Sequence, residues 1–258
     1  MMNEQNFHIV LQGILDVGEE MMVAGAEIYR VEDSIERMCN AYGANPGRSN
    51  VFIITSNIQV TIEAPNGEII TQIRRILRSD VNFDRLARLN DLCRRICATT
   101  PDVDELQAEL DKIMDKPDQR WPVKFLGGIL AASFFAIFFG GSVMDAVATG
   151  IIAIPIVLLQ NKSRLKNDNK IVFTFYLSVI AGVLSHLMAM LGIGDSCDYI
   201  MIGCIMLLIP GIALTNSARD ILMGDTASGL LRFADSLINA VVIACGFALS
   251  MVLLGGLM

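Results

Sequence analysis

The sequence predicts an α-helical polytopic membrane protein with five transmembrane helices, two of them interrupted, preceded by a small α+β cytoplasmic domain. Three observations carry this. Of 258 residues, 53% are apolar and only 18% charged, against about 25% charged in a typical soluble domain. The charges are unevenly placed: residues 1–120 hold 13 Lys/Arg and 20 Asp/Glu, whereas residues 121–258 hold 7 of each. After Trp121-Pro122 the apolar residues fall in runs approaching the ~20 needed to cross hydrocarbon. These set a boundary between a cytoplasmic α+β domain, 1–120, and a five-span domain, 121–258. The net charge of −7 excludes a nucleic-acid binder, which requires a basic face.

In the polar half, Phe7–Tyr42 reads as helix, because Ile9, Val10, Ile14, Val17, Met21 and Met22 follow a helical period. Gly43, Asn45, Pro46 and Gly47 end it. Asn50–Ser56, Gln59–Ala64 and Glu68–Arg74 alternate or are β-branched, and Pro65-Asn66-Gly67 predicts a hairpin turn. Phe83–Ala98 is amphipathic, with Leu86, Leu89, Leu92 and Ile96 on one face, and Val103–Met114 forms a second such helix. The first twenty residues have no basic region and are interrupted by Gln12 and Asp16, unlike a targeting signal.

The hydrophobic half gives spans at Phe125–Met144, Ala146–Leu159 (with Pro155), Ile171–Leu191, Tyr199–Ala218 (broken by Pro210-Gly211) and Ser236–Met258. With the N-terminus inside, all seven basic residues of this half fall on the cytoplasmic side: Lys124, Lys162, Arg164, Lys166, Lys170, Arg219 and Arg232. The C-terminus is then outside. Gly/Pro-interrupted spans point to binding sites in transporters; Pro155 alone reads as a simple kink, and the Pro210-Gly211 break is the stronger signal. His186, deep in the third span, reads as a histidine hydrogen-bonded between helices or as a proton relay.

Polar chemistry follows the Pro210-Gly211 break directly. Thr215 and Arg219 lie four apart, as do Asn216 and Asp220, so each pair shares a helix face. Asp225, Ser228, Arg232, Asp235, Ser236 and Asn239 extend the pattern; if helical, this is a polar stripe running into the fifth span. Such residues line aqueous paths, or pair with one another in a solvated loop. In the polar half, Gly25, Glu27, Arg30, Glu32 and Asp33 form a second polar motif, which plain surface ion pairs would also explain. The six cysteines include no CxxC; Cys93 and Cys97, four apart on a predicted helix, read as reduced small hydrophobes. There is no phosphate loop, nucleophile elbow or zinc signature, so no cofactor, metal or enzymatic centre is expected.

Ala24–Asp33 and Pro210–Gly229 resemble the two signature regions of the threonine/serine exporter family, N-terminal-domain type. The resemblance rests on GAEIYRVEDSIERM and PGIALTNSARDILMGDTASG and covers about Gly13 to Gly246. Some members are single chains with a second hydrophobic module; others divide the work between a long subunit and a short all-membrane one. This chain, with one module, resembles the long subunit. The resemblance implies secondary export of threonine/serine-type amino acids or dicarboxylates such as succinate across a bacterial inner membrane. It also implies a short all-membrane partner, a homo-oligomer, or both. Substrate-binding or gating residues are expected among Pro210, Gly211, Thr215, Asn216, Arg219, Asp220, Asp225, Arg232, Asp235 and Asn239. A guanidinium at Arg219 or Arg232 would meet a substrate carboxylate in two-point fashion. The alternative is a membrane-anchored enzyme or ligand-sensing domain.

Overall fold

In this computed structural model, residues 4–117, 120–162 and 169–254 are described. The chain divides into two compact units: Met1–Asp118 with Ile212–Phe233, and Gln119–Gly211 with Ala234–Met258. The first unit thus includes a segment from well beyond residue 121.

The first unit begins with α1 (Glu4–Val23) and α2 (Ile28–Ala41). The single helix expected over Phe7–Tyr42 is therefore two. Gly25 adopts φ +95°, a left-handed conformation open to glycine at little cost, and closes α1 as a C-terminal cap. The Ala26 N–H donates back to Met21 O at 3.0 Å and the Gly25 N–H to Met22 O at 3.1 Å. Helical periodicity continues through this corner in the sequence, which is why the break does not show there.

Three strands follow: β1 (Asn50–Ile54), β2 (Asn57–Glu63) and β3 (Ile69–Arg75), an antiparallel meander in the order β1-β2-β3. The second turn is the expected one, with Gly67 at φ +86°. The first is a two-residue loop, Thr55-Ser56, set by the Ile54↔Asn57 pairing; it carries no glycine or asparagine signal in the loop itself. On β2, Ile58, Val60 and Ile62 point inward and are fully buried, the period-two pattern of a half-buried strand. They pack with Leu11, Ile14 and Leu15 of α1 and Ile35 and Met38 of α2 in one core. The same core takes in Leu89 and Leu92 of α3 (Phe83–Thr99) and Leu106 of α4 (Val103–Met114). Asn82 caps α3 by accepting from the Arg85 N–H at 3.0 Å.

The second unit holds α5 (Trp121–Phe138), α6 (Val143–Lys162), α7 (Lys170–Met190), α8 (Cys197–Met206) and most of α10 (Thr226–Leu254); α9 (Gly211–Met223) falls almost wholly in the first. Among the described residues α5, α6, α7 and α10 are each long and apolar enough to cross a membrane, and α8 with α9 qualifies only as a bent pair. The expected interruption at Pro155 is corrected: α6 runs unbroken through it, because a proline inside a helix removes one i−4 bond while the flanking turns persist. The other break lies at 207–210, so Tyr199–Ala218 is not one helix. The polar stripe is likewise divided, at Gly224 (φ +107°), between α9 and α10. The basic loop expected over Gln160–Lys170 lies in part, at 163–168, outside the described residues.

The second unit's core joins Ile152 and Ile156 of α6, Ala181 of α7, Ile200 and Cys204 of α8, and Ile243 and Phe247 of α10. Large apolar side chains such as Leu130, Phe134, Val241 and Val252 face outward, as suits a lipid solvent. His186 places Nδ1 2.9 Å from the Gly182 carbonyl of its own helix, not across to another helix as expected; a buried ring can satisfy itself on the preceding turn.

Asp145 clasps two loops of this unit. It is 1% exposed; Oδ2 accepts from the Ser142 N–H at 2.8 Å, and Oδ1 from Asp195 and Ser196 N–H at 2.7 and 2.9 Å. Asp145→Asn keeps one carbonyl oxygen, must place an NH2 opposite a donor, and loses the charge. Bonds to a charged acceptor contribute about 1.5–3 kcal/mol each. Thermal unfolding in detergent should show a destabilisation of about that size, with α5–α8 packing otherwise intact.

Candidate functional site

The first unit brings the two polar motifs together, 192 residues apart in sequence. Gly25 turns the chain so that α2 starts at Ile28, and its own carbonyl accepts from Asn216 Nδ2 at 3.1 Å. The residue preceding α2, Glu27, makes no side-chain cap. Instead Asp220 of α9 reaches the helix end, Oδ1 accepting from the Ile28 N–H at 3.3 Å. A carboxylate at a helix N-terminus meets unpaired N–H groups and the positive end of the dipole. Glu27 points elsewhere and pairs with Arg219 at 2.8 Å.

Asp220 is also the counter-charge of Arg232, 3.0 Å away; the two side chains are 1% and 14% exposed. The Arg219 side chain, by contrast, is 58% exposed. The two arginines thus differ in access: one sits inside a buried ion pair, the other at the surface with a carboxylate already on it.

The close approach of α9 and α10 depends on Gly229. A methyl group there would lie 2.8 Å from the Ser217 carbonyl and 2.9 Å from the Ile221 nitrogen, so the helices could not meet with any other residue. Next to it the buried Ser228 donates to the Ile53 carbonyl at 2.7 Å. The Ile53 N–H donates to Glu32 Oε1 at 3.2 Å. Ile53 belongs to the edge strand β1, and these two bonds satisfy its outward backbone groups.

Glu32 is the electrostatic anomaly of the site. Burial pushes its carboxyl up to about 7, the negative charges of Asp225 and Asp220 add to the rise, and the Ile53 N–H opposes it. Burial and the neighbouring carboxylates together thus leave Glu32 about half protonated near neutral pH.

The structure therefore gathers Gly25, Glu27, Glu32, Asn216, Arg219, Asp220, Asp225 and Arg232. Arg30 and Asp33 lie on another face of α2, toward α3. Thr215 is exposed on α9. Asp235 and Asn239 belong to the second unit, where Asn239 Nδ2 donates to the Asp235 carbonyl at 2.9 Å; Pro210 lies in the break before α9, and Gly211 is the first residue of that helix. Ser228 stands in the expected polar stripe but not among the expected binding residues, and Ile53 is unforeseen: a backbone group on an edge strand has no signature in sequence.

The sequence matches the family described as "Putative threonine/serine exporter" over residues 12–254. It is 22% identical over 261 residues to the threonine/serine exporter of Corynebacterium glutamicum, a match covering 94% of this chain and 51% of that protein. The chain spans about half the length of the curated relative it matches. No solved structure matches. The family is one of exporters, not enzymes, and the four to five candidate spans among the described residues are those of a multi-pass membrane protein. The two motifs that meet at Asp220 both lie within the matched residues, and the chain is a member of the threonine/serine exporter family.

Proposed function

We propose that this chain is one subunit of a secondary exporter for small carboxylate-bearing metabolites, and that Arg219 is where the substrate carboxylate is met. Threonine/serine-type amino acids and dicarboxylates such as succinate are the candidate cargo. The observation that carries the reading is the Arg219–Glu27 pair: a guanidinium 58% exposed, holding a carboxylate at 2.8 Å. An incoming carboxylate would displace Glu27 and take over the same fork of donors. Asn216, one residue-turn away on α9, offers a neutral amide beside it. Arg232 is the positioning residue, since its buried pair fixes Asp220 on the end of α2. Asp225 supports the proton on Glu32.

Lysine carries the charge of arginine but not its planar fork. Losing one charge-assisted bond of about 1.5–3 kcal/mol lowers binding roughly ten- to a hundredfold. Arg219→Lys should therefore cut export of labelled threonine or succinate from loaded vesicles by about that factor at unchanged expression. Normal export by Arg219→Lys would move the site elsewhere.

The first unit is proposed to be cytoplasmic, with the N-terminus inside and the C-terminus outside, on the strength of the basic residues that flank the spans. A short all-membrane partner subunit or a second copy of this chain would complete the path, because a five-span module with a broken helix leaves backbone groups that need cover. Cysteine accessibility tests the orientation. Cys39 is fully buried, so its silence would say nothing; Cys97 and Cys197 are both partly exposed. A membrane-impermeant maleimide on intact cells should label Cys197 and spare Cys97 until the membrane is opened. The reverse pattern would invert the topology.

A further inference from the structure

A polar cavity lies in the first unit, on the side of α2 not used by Glu32. It has a volume of about 330 Å³ and is a groove between α2 and α3. Arg30, Asp33 and Arg37 line it from α2, and Asn90, Arg94 and Cys97 from α3. Each trio recurs within two helical turns on one face. The apolar seam of the pair, Val31, Ile35 and Met38 with Leu89 and Leu92, is fully buried alongside it. The groove is therefore a polar rim on a rigid two-helix frame.

Its charge is opposite to that of the molecule. Three guanidinia face one carboxylate, a local excess of positive charge in a chain of net −7. Asp33 is engaged by Arg37 through Nε at 2.8 Å. Arg94 has Asp91 at 3.7 Å, on the α3 surface outside the lining. Arg30 has no carboxylate partner among the described residues. Cationic groups spread over two facing helices repel each other unless an anion lies between them. The volume sits at the small end of ligand pockets, about 300–1,000 Å³, so it suits a metabolite rather than a nucleotide or a peptide.

We infer that the α2–α3 groove, lined by Arg30, Arg37 and Arg94, binds a small dianion, an organic dicarboxylate or inorganic phosphate. The occupant would bridge Arg30 on one helix and Arg94 on the other. α2 also carries Glu32 on its other side and begins just after Glu27, so an anion that fixes α2 against α3 would bear on the cluster at Asp220 without touching it. This site is separate from Arg219, and its test does not measure export.

Cys97 lines the groove and is partly exposed, whereas Cys39, Cys93 and Cys204 are buried. In the full chain, in nanodiscs, with Cys197→Ala and Cys245→Ala, maleimide alkylation should report on Cys97. Its rate is followed with succinate, phosphate, threonine or chloride at constant ionic strength, which holds general screening fixed. At a ligand concentration ten times Kd the free fraction is about one in eleven, so the rate should fall about tenfold. Saturable protection by succinate locates a dicarboxylate site, and protection by phosphate a phosphate site. Either should disappear in Arg30→Ala/Arg94→Ala, compared with that variant's own unliganded rate. Both side chains are exposed, so the double variant should fold. Protection by no dianion, protection by threonine alone, or protection that survives the double variant would overturn the inference.

Discussion

Asp220→Ala should destabilise the first unit by about 3–5 kcal/mol, the range found when one partner of a buried ion pair is removed. Two losses combine. Arg232, 14% exposed, loses the counter-charge 3.0 Å away, and α2 loses the carboxylate on its first N–H, a cap contributing about 1 kcal/mol. Denaturant unfolding in detergent, followed by protease sensitivity of α2, should show the loss. Asp220→Asn separates the two components: its amide oxygen can still accept from the Ile28 N–H while the charge is gone. It should recover only about the cap's share. If Asp220→Ala left stability within about 0.5 kcal/mol of the parent, in the range of an ordinary surface substitution, the pair would be peripheral. The family motif around it would then need another explanation.

Glu32 sets the second large expectation, a stability that depends on pH. Its folded-state carboxyl titrates at about 7, above the ordinary glutamate value of about 4.3. The folded state therefore binds this proton more tightly than the unfolded one between those values. By linkage, the stabilisation from the proton is present at acid pH and is lost as pH rises through 7. Solvent screening at a half-buried carboxyl brings the effect to on the order of 1 kcal/mol. Glu32→Gln, permanently neutral and still able to accept from Ile53, should unfold with little change between pH 6 and 8, and at pH 8 it should be more stable than the parent. An unchanged pH profile in Glu32→Gln would assign the titration to another carboxylate. In the exporter reading, the same variant should flatten the pH dependence of transport, since Glu32 is the group at the cluster that gains and loses a proton near neutrality.

What the sequence reveals and what it hides divide along a physical line. Features that depend on neighbours in the chain are legible. The periodicity of Leu86, Leu89 and Leu92, the turn at Asn66-Gly67 and the apolar run of α7 appear where expected, while α5 ends six residues before its expected limit and α10 begins ten residues before its own. The break inside the fourth apolar run, next to Pro210, also appears where expected. Features that depend on partners far along the chain are not. Asn216, Arg219 and Asp220 read equally well as a binding stripe or as a solvated loop until Gly25, Glu27 and Ile28 are seen against them. Glu32 is one of several acidic residues in its helix, and only the folded arrangement singles it out. The corner at Gly25 shows the same limit in miniature: a helical hydrophobic period runs straight through it, and the backbone angle that breaks the helix leaves no trace in that period.

The discontinuity of the first unit also orders events during synthesis. Its N-terminal part emerges from the ribosome early, but the carboxylate that caps α2 and the serine that covers β1 lie on α9 and α10. At about 5–20 residues per second, the ninety or so residues between Asp118 and Ile212 delay completion by roughly 5–20 s. Throughout that interval α5–α8 are being made while the edge of β1 stands open. A nascent chain in this state offers a strand edge and an uncapped helix to any neighbour on the same polysome. Docking of α9 together with the start of α10 is thus the step that both closes the unit and ends its exposure to misassembly.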